Sequence, residues 1–127
     1  MRLLLRDNLP FLELSIAYHG ICITIEDVLL DTGSASTVLA ADAVVGIGLT
    51  QSPTDMLYVV GGVGGTEFVY SRQVDYVQVA DRKLSDFTIE VGGMDYGFRI
   101  NGILGMDFLT QAGANINLRE LQIEFTD

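Results

Sequence analysis

Several residue types are scarce in this sequence, and each shortage excludes a class of protein. A single cysteine and a single histidine occur among 127 residues, so no internal disulfide can form and no zinc site has His and Cys ligands at a typical spacing. We therefore expect no metal and no cofactor. A chain without disulfides is compatible with a reducing compartment, which makes the cytoplasm the default location.

Basic residues are also few. Seven Lys and Arg stand against 17 Asp and Glu, a formal net charge of −10, and so acidic a chain would be repelled by the phosphates of nucleic acid. No stretch approaches the ~18 consecutive apolar residues that cross a bilayer, so no membrane contact is expected. The apolar run after Met1 is interrupted by Arg6 and Asp7 without a small-residue cleavage site, which predicts no signal peptide. A leader or anchor upstream of Met1 would lie outside this chain.

Apolar residues are abundant, at 49%, and so is glycine, with 14 residues against 2 prolines. Short Val, Ile and Leu runs separated by Gly, Asn and Asp are typical of strands joined by turns, and this length suits one compact domain. We predict a single all-β domain over residues 1–127. Hairpins are predicted around Tyr18–Gly20 and Arg119–Glu120, and short helices over Ala40–Val45 and Met106–Gln111.

The middle of the chain contains a glycine-rich hairpin. Two strand-like runs, Met56–Val60 and Thr66–Tyr70, flank the segment Gly61–Gly65. A hairpin whose tip is almost all glycine should move. Two further strands are predicted over Val74–Val79 and Phe87–Val91.

Asp31 stands where a charge is unusual, directly after the apolar run Val28–Leu30. Charged groups rarely lie beside buried runs without a reason. Gly33 would let the backbone turn sharply next to the carboxylate, and Thr32 and Ser34 offer hydroxyls that can anchor the loop or bind the acid. Asp-Thr-Gly is also a common turn sequence, so these three residues alone do not indicate a function.

The longer pattern does indicate one. The segment from Val28 to Leu39 resembles the active-site loop of the retropepsin-like aspartic proteases, in which an apolar strand enters Asp-Thr-Gly-Ser and a Thr- and Val-rich strand leaves it. Ile103-Leu104-Gly105 resembles the family's downstream element of two apolar residues and a glycine, and the string Gly102–Leu109 is especially similar to bacterial members. The glycine-tipped hairpin resembles the family's flap. The three elements occur in the family's order and span almost the whole chain.

The resemblance implies a small closed β-barrel of the retropepsin type with one or two short helices. It also implies an aspartic endopeptidase, a hydrolase whose catalytic residue is Asp31. Because the motif occurs once, a second copy would supply the other carboxylate, so a homodimer is expected. Residues assigned by the resemblance are the active-site loop of Thr32, Gly33 and Ser34, the flap of Gly62, Val63, Gly64 and Gly65, and the supporting residues Ile103, Leu104 and Gly105.

The resemblance further implies how the dimer and its chemistry work. Thr32 of each protomer would grip the partner's loop, and the segments Met1–Leu5 and Leu121–Phe125 would supply strands that hold the dimer. One carboxylate would deprotonate a water while the other, protonated, gives a proton to the scissile carbonyl of a polypeptide held extended beneath the flaps. The pair would share one proton and favour acidic to mildly acidic conditions.

Two positions depart from the retroviral pattern. Ala35 and Met106 occupy the places where retroviral members have an acid and an arginine that pair with each other. Because both partners are missing together, no charge is left unpaired, and the change indicates a different subfamily. It places in doubt any role of that pair in the dimer.

Several alternatives remain at this stage. The chain could be a catalytically silent retropepsin-like binding or dimerisation module, or, more distantly, a ligand-binding β-barrel in which Asp31 is structural. We expect Cys22 to be a packed strand residue rather than a nucleophile, with His19 in a turn. We also expect Asp107 to cap its helix and Tyr58 to pack.

Overall fold

The structure of the chain is a computed structural model that describes residues 1–62 and 65–126, without the side chains of residues 60–62 and 65–67. Strands hold 54% of the chain and helices 12%, which confirms an all-β fold with two short helices. In chain order, the elements are β1 Leu4–Arg6, β2 Leu9–Tyr18, β3 Ile21–Leu30, β4 Val38–Ala40, α1 Ala41–Val44 with a 3₁₀ turn Val45–Ile47, β5 Leu57–Gly62, β6 Gly65–Val79, β7 Arg82–Gly92, β8 Gly102–Leu104, α2 Met106–Ala112, β9 Ala114–Asn117 and β10 Gln122–Phe125.

The main sheet curls into a partly closed ring. Its strand order is β1-β2-β3-β8-β4-β7-β6-β5, and an additional pairing of β2 with β6 joins the two sides. The closing contacts pair Ser15 with Gln78 and Ala17 with Tyr76. Since only one edge pair, β1 and β5, lies outside the ring, most backbone groups of the sheet have a neighbouring strand.

A β-bulge bends the strand that leads to Asp31. The apolar alternation breaks at Glu26–Asp27, but β3 continues through this break because its register with β2 shifts between Leu12 and Leu14. Asp27 has φ +59°, as the extra residue of a bulge often does. Asn101 binds both bulge carbonyls: its backbone N–H donates to Asp27 O at 2.9 Å and its side chain donates to Glu26 O at 3.0 Å.

The hairpin of β5 and β6 is longer than the sequence pattern indicated. The two predicted strands Thr66–Tyr70 and Val74–Val79 are parts of one strand, β6, which pairs with β5 at its start and with β7 over most of its length. The backbone pairing of the hairpin runs as far as Gly62 and Gly65. Val63 and Gly64, the predicted tip, lie outside the described residues.

Two apolar clusters lie on either side of β8. Ile103 belongs to a smaller cluster with Phe11 and Leu29, while the next residue, Leu104, belongs to the larger core around Phe108. Successive side chains of a strand point to opposite faces, so a strand buried on both faces must be apolar throughout. This explains why the short run before Gly105 has no polar residue.

The N-terminal and C-terminal segments pair with each other inside one chain. Ile123 donates its backbone N–H to Met1 O at 2.9 Å, the Met1 amino group donates to Ile123 O at 3.0 Å, and Leu3 N–H donates to Leu121 O at 2.7 Å. These segments, Met1–Leu5 and Leu121–Phe125, are the ones assigned above to the dimer. Their hydrogen bonds form here without a partner.

The packing expected for Cys22 is wrong. β3 alternates, and Ile23 and Ile25 turn toward the core, so Cys22 faces outward and is exposed. Tyr76 donates a hydrogen bond to its sulfur at 3.2 Å. His19 is an exposed turn residue with φ +50°, as predicted.

Candidate active site

Asp31 begins where β3 ends. Its backbone N–H donates to Leu104 O at 3.1 Å, which extends the parallel pairing of β3 with β8 by one step. The residues on its N-terminal side are buried, whereas Asp31 is half-buried and Thr32 and Gly33 are exposed. The carboxylate therefore stands at the boundary between the core and the surface.

The turn after Asp31 binds the carboxylate itself. Gly33 donates its N–H to Asp31 Oδ1 at 2.8 Å, and Ser34 N–H donates to Asp31 O at 3.2 Å. A Cβ on residue 33 would lie 3.1 Å from Oδ1, which is tighter than ordinary contact. Glycine at this position keeps that side of the carboxylate clear.

The downstream glycine packs directly against this loop. A Cβ on Gly105 would lie 2.6 Å from the Ser36 carbonyl carbon and 2.9 Å from Ser34 O, so no other residue fits. Met106 N–H donates to Ser34 O at 2.8 Å and Asp107 N–H donates to Ala35 O at 3.2 Å. The structure thus brings Ile103-Leu104-Gly105 beside Asp31-Thr32-Gly33-Ser34.

Thr37 and Asp107 hold the loop by a contact that the sequence did not reveal. Thr37 is fully buried, its hydroxyl donates to Asp107 Oδ1 at 2.7 Å, and its N–H donates to Asp107 Oδ2 at 3.1 Å. The same hydroxyl accepts the N–H of Gly105 at 3.1 Å. A buried hydroxyl with three partners fixes the loop against the start of α2.

The capping role expected for Asp107 is therefore wrong. The N-cap of α2 is Gly105, and no side chain caps that end. Asp107 lies two residues further on, where its carboxylate accepts from Thr37 and from Phe108 N–H at 2.7 Å. A Thr between apolar residues, as in Thr37-Val38-Leu39, was the available signal that a buried polar partner was needed.

Ala35 and Met106 make no ion pair, as their side chains dictate. Each contributes only backbone to the link between the loop and α2, through Ala35 O and Met106 N. The Thr37–Asp107 contact joins the same two segments one and two residues further along. This chain thus connects them with a hydroxyl–carboxylate contact.

Beside the loop lies an apolar hollow of about 380 Å³, which we call the α2–β9 hollow. Its lining includes Thr32, Met106, Leu109, Thr110, Ala114 and Ile116. Thr32 is exposed, and Met106 is 38% exposed at the edge of the hollow. The loop of Asp31 therefore adjoins an uncharged surface.

The β5–β6 hairpin presents apolar side chains to solvent. Leu57, Val59 and Phe68 are 53%, 62% and 68% exposed. Val59 pairs with Phe68 across the hairpin, and Leu57 lies two residues from Val59, so all three share one face. Tyr58, on the other face, is 43% exposed, so the packing expected for it is not seen in the isolated chain.

Arg72 fastens the base of this hairpin to the barrel. It forms an ion pair with Asp55 at 2.7 Å, and it donates to the Tyr18 hydroxyl at 3.0 Å. The hydrogen bond with Tyr18 raises the pKa of Arg72, and burial raises the pKa of the neighbouring Tyr70. Arg72 stays charged, and so holds the segment before β5 in place.

The described part of the chain brings no three His, Cys, Asp or Glu side chains together in a group that could hold a metal ion. Within the same residues, no helix has both the length and the apolar character that a membrane crossing needs.

Comparison with known proteins gives one match. The model of a family described as aspartyl protease matches residues 20–108, a span that includes the Asp31 loop, the hairpin and Gly105. None of the curated proteins matches the chain.

Proposed function

Since the chain belongs to the retropepsin-like aspartyl protease family, we propose that it is an aspartic endopeptidase that acts as a homodimer. One Asp31 from each copy would form the catalytic pair. The observation that carries the proposal is the Asp31 carboxylate, fixed through Oδ1 by the Gly33 N–H at the mouth of a buried strand. We propose that residues 1–127 act as one domain in the cytoplasm.

Two carboxylates are needed because the reaction requires a base and an acid at once. At a separation of ~3.5 Å and an effective dielectric of ~20, two ionised carboxylates would repel by roughly 5 kcal/mol. The pair would therefore hold one proton between them. The ionised Asp31 takes a proton from water, and the protonated one donates to the oxygen of the scissile carbonyl.

The geometry of one loop divides the two oxygens of each carboxylate. Because Gly33 N–H binds Oδ1, we assign Oδ2 of Asp31 to the water and to the proton transfer. A carboxylate held by a backbone N–H needs little reorientation during the reaction. Thr37, Gly105 and Asp107 would act as positioning residues, since they fix the loop without touching substrate.

The proposed substrate is an extended polypeptide. The hairpin would cover it, with main-chain hydrogen bonds from Gly62, Val63, Gly64 and Gly65. The exposed side chains of Leu57, Val59 and Phe68 would lose water when a peptide or a partner covers the hairpin. This explains why a soluble-sized β chain presents so many apolar residues in one place.

A silent binding or dimerisation module is the second candidate. It is favoured by one observation, that a single chain carries a single Asp31 and would be inactive while monomeric. The complete Asp31 loop supports the protease instead, because a module without chemistry has no need to hold a carboxylate at the surface.

Cleavage of an unfolded polypeptide at roughly pH 4 to 6 tests the proposal. We expect Asp31→Asn to lower the rate by about 10³-fold or more, while thermal unfolding stays near that of wild type. Asp42→Asn, which neutralises an exposed acid of α1, is the matched control and should cleave normally. Equal cleavage by the wild type and Asp31→Asn, or none by either, would overturn the protease function.

A further inference from the structure

Strand β9 has an unused edge. It pairs with β10 on one side, and the opposite edge has no strand partner among the residues that the structure describes. β10 lies between β9 and the N-terminal segment, which takes its other edge through Met1 and Leu3. The only side on which this small sheet can grow is therefore that of β9.

The alternation of hydrogen bonds identifies the backbone groups at that edge. In the register of the hairpin, Gly113 faces Thr126, and Thr126 N–H donates to Gly113 O at 3.0 Å. Antiparallel pairs alternate between bonded and non-bonded positions, so Asn115 and Asn117 turn their backbone groups toward β10. Ala114 and Ile116 turn theirs outward, which leaves two N–H and two C=O groups at the free edge.

This edge adjoins the α2–β9 hollow. The side chains of Ala114 and Ile116 line the hollow, and so does Thr32, the residue next to Asp31. A partner bound here would touch the sheet edge, the hollow and the active-site loop together. A surface that meets all three is the one on which a single Asp31 can find a second.

Charge also limits which partner this surface can take. The chain has a net charge of −10, so two copies repel each other wherever their acidic residues face. All residues that line the hollow are uncharged. A copy related by a twofold axis presents its own uncharged residues to the same place, which avoids the repulsion that like charges cause.

We propose that the free edge of β9 and the α2–β9 hollow form the docking surface for a second copy of the chain. The two β9 strands pair antiparallel across a twofold axis through Ala114 and Ile116. The strands of both copies then form one continuous sheet, and the two Thr32–Asp31 segments meet beside it. The proposal rests on the homodimer of the proposed function and assigns the strand that joins it.

This arrangement differs from the one implied by resemblance. The segments Met1–Leu5 and Leu121–Phe125 were expected to hold the dimer, but they pair with each other within one chain. Exchanging them between copies would replace hydrogen bonds that already exist. Pairing through β9 adds hydrogen bonds that the single chain lacks.

The test measures self-association by analytical ultracentrifugation in the Asp31→Asn background, where cleavage cannot interfere. Thr110→Arg places a charge at the hollow, and the Thr110 side chain otherwise binds only Met106 O of its own helix. We expect it to weaken the dimer about tenfold or more, since like charges would meet across the axis. Thr110→Val, with the same shape and no charge, should dimerise like the parent.

Two further variants make every outcome decisive. Met106→Arg replaces Thr110→Arg if circular dichroism shows that the latter is unfolded, and Leu4→Arg tests the terminal segments. A parent that stays monomeric, or a dimer weakened by Leu4→Arg and not by a charge at the hollow, overturns the interface. A parent that dimerises through the hollow while the wild type fails to cleave leaves the interface standing and overturns only the protease.

Discussion

The Asp31 loop and the β5–β6 hairpin are both assigned to the active site, yet the chain holds them in opposite ways. The loop is fixed by hydrogen bonds from Met106, Asp107 and Gly105 and by a fully buried Thr37. The hairpin is fastened at its base by Arg72 and leaves Leu57, Val59 and Phe68 exposed beyond it. One region is complete in the single chain, and the other has apolar surface still to be covered.

The difference teaches what each region must do. A carboxylate can share a proton with its copy only if the distance between them is set in advance, so the loop is rigid before the partner arrives. A hairpin that admits a polypeptide must open, so its stabilising contacts have to come from the bound peptide or the second copy. Substitutions in the two regions should therefore separate stability from activity.

Gly105→Ala should break the loop with the largest effect. The new Cβ would lie 2.6 Å from the Ser36 carbonyl carbon, and backbone on both sides leaves it no room to shift. We expect a loss of about 3 kcal/mol or more in the free energy of unfolding, measured by urea denaturation. Gly46→Ala, where nothing lies within 4 Å, is the matched control and should change little. Equal stability of the two variants would contradict a tightly packed loop.

Thr37→Val should have the next largest effect. The valine keeps the volume but removes the hydroxyl, which leaves the Asp107 carboxylate and the Gly105 N–H without that partner. We expect a loss of about 2 kcal/mol and a lower kcat. Thr37→Ser retains the hydroxyl and should recover most of both. If serine and valine behaved alike, the methyl group rather than the hydrogen bonds would be holding the loop.

Phe68→Ser should sharpen the comparison from the other side. Because Phe68 is 68% exposed, its loss should change the free energy of unfolding by only about 0.5 kcal/mol, while KM for a polypeptide rises several-fold. Val69→Ala, at the next position but fully buried, should lose about 2 kcal/mol. A Phe68→Ser chain as destabilised as Val69→Ala would show that the hairpin packs in the single chain after all.

Sequence patterns predicted what short-range periodicity controls. The hairpin at Tyr18–Gly20, the helix ending at Gly113 and the last hairpin all follow from alternation and turn residues. The bulge at Glu26–Asp27 was read as a break because a register shift and a strand end produce the same interruption in the pattern. Cys22 was assigned to the wrong face because alternation shows that two faces exist without showing which one is buried.

Contacts between distant residues could not be predicted in this way. Thr37 and Asp107 are 70 positions apart, and no local preference connects them. The approach of Gly105 to Asp31 was anticipated only through the family pattern. That pattern did not reveal the Thr37–Asp107 contact, nor that the terminal segments pair within one chain.

The insertion of β8 between β3 and β4 has a consequence for the order of assembly. Asp31 is synthesised early, but its loop is held by residues that follow about 70 positions later, including Gly105 and Asp107. Closing so long a stretch of chain is a slow step relative to local hairpins. A nascent chain that has not yet emitted β8 and α2 cannot hold the carboxylate in place. The protein therefore acquires its reactive group last, when almost nothing of its own chain is left unfolded to be cut.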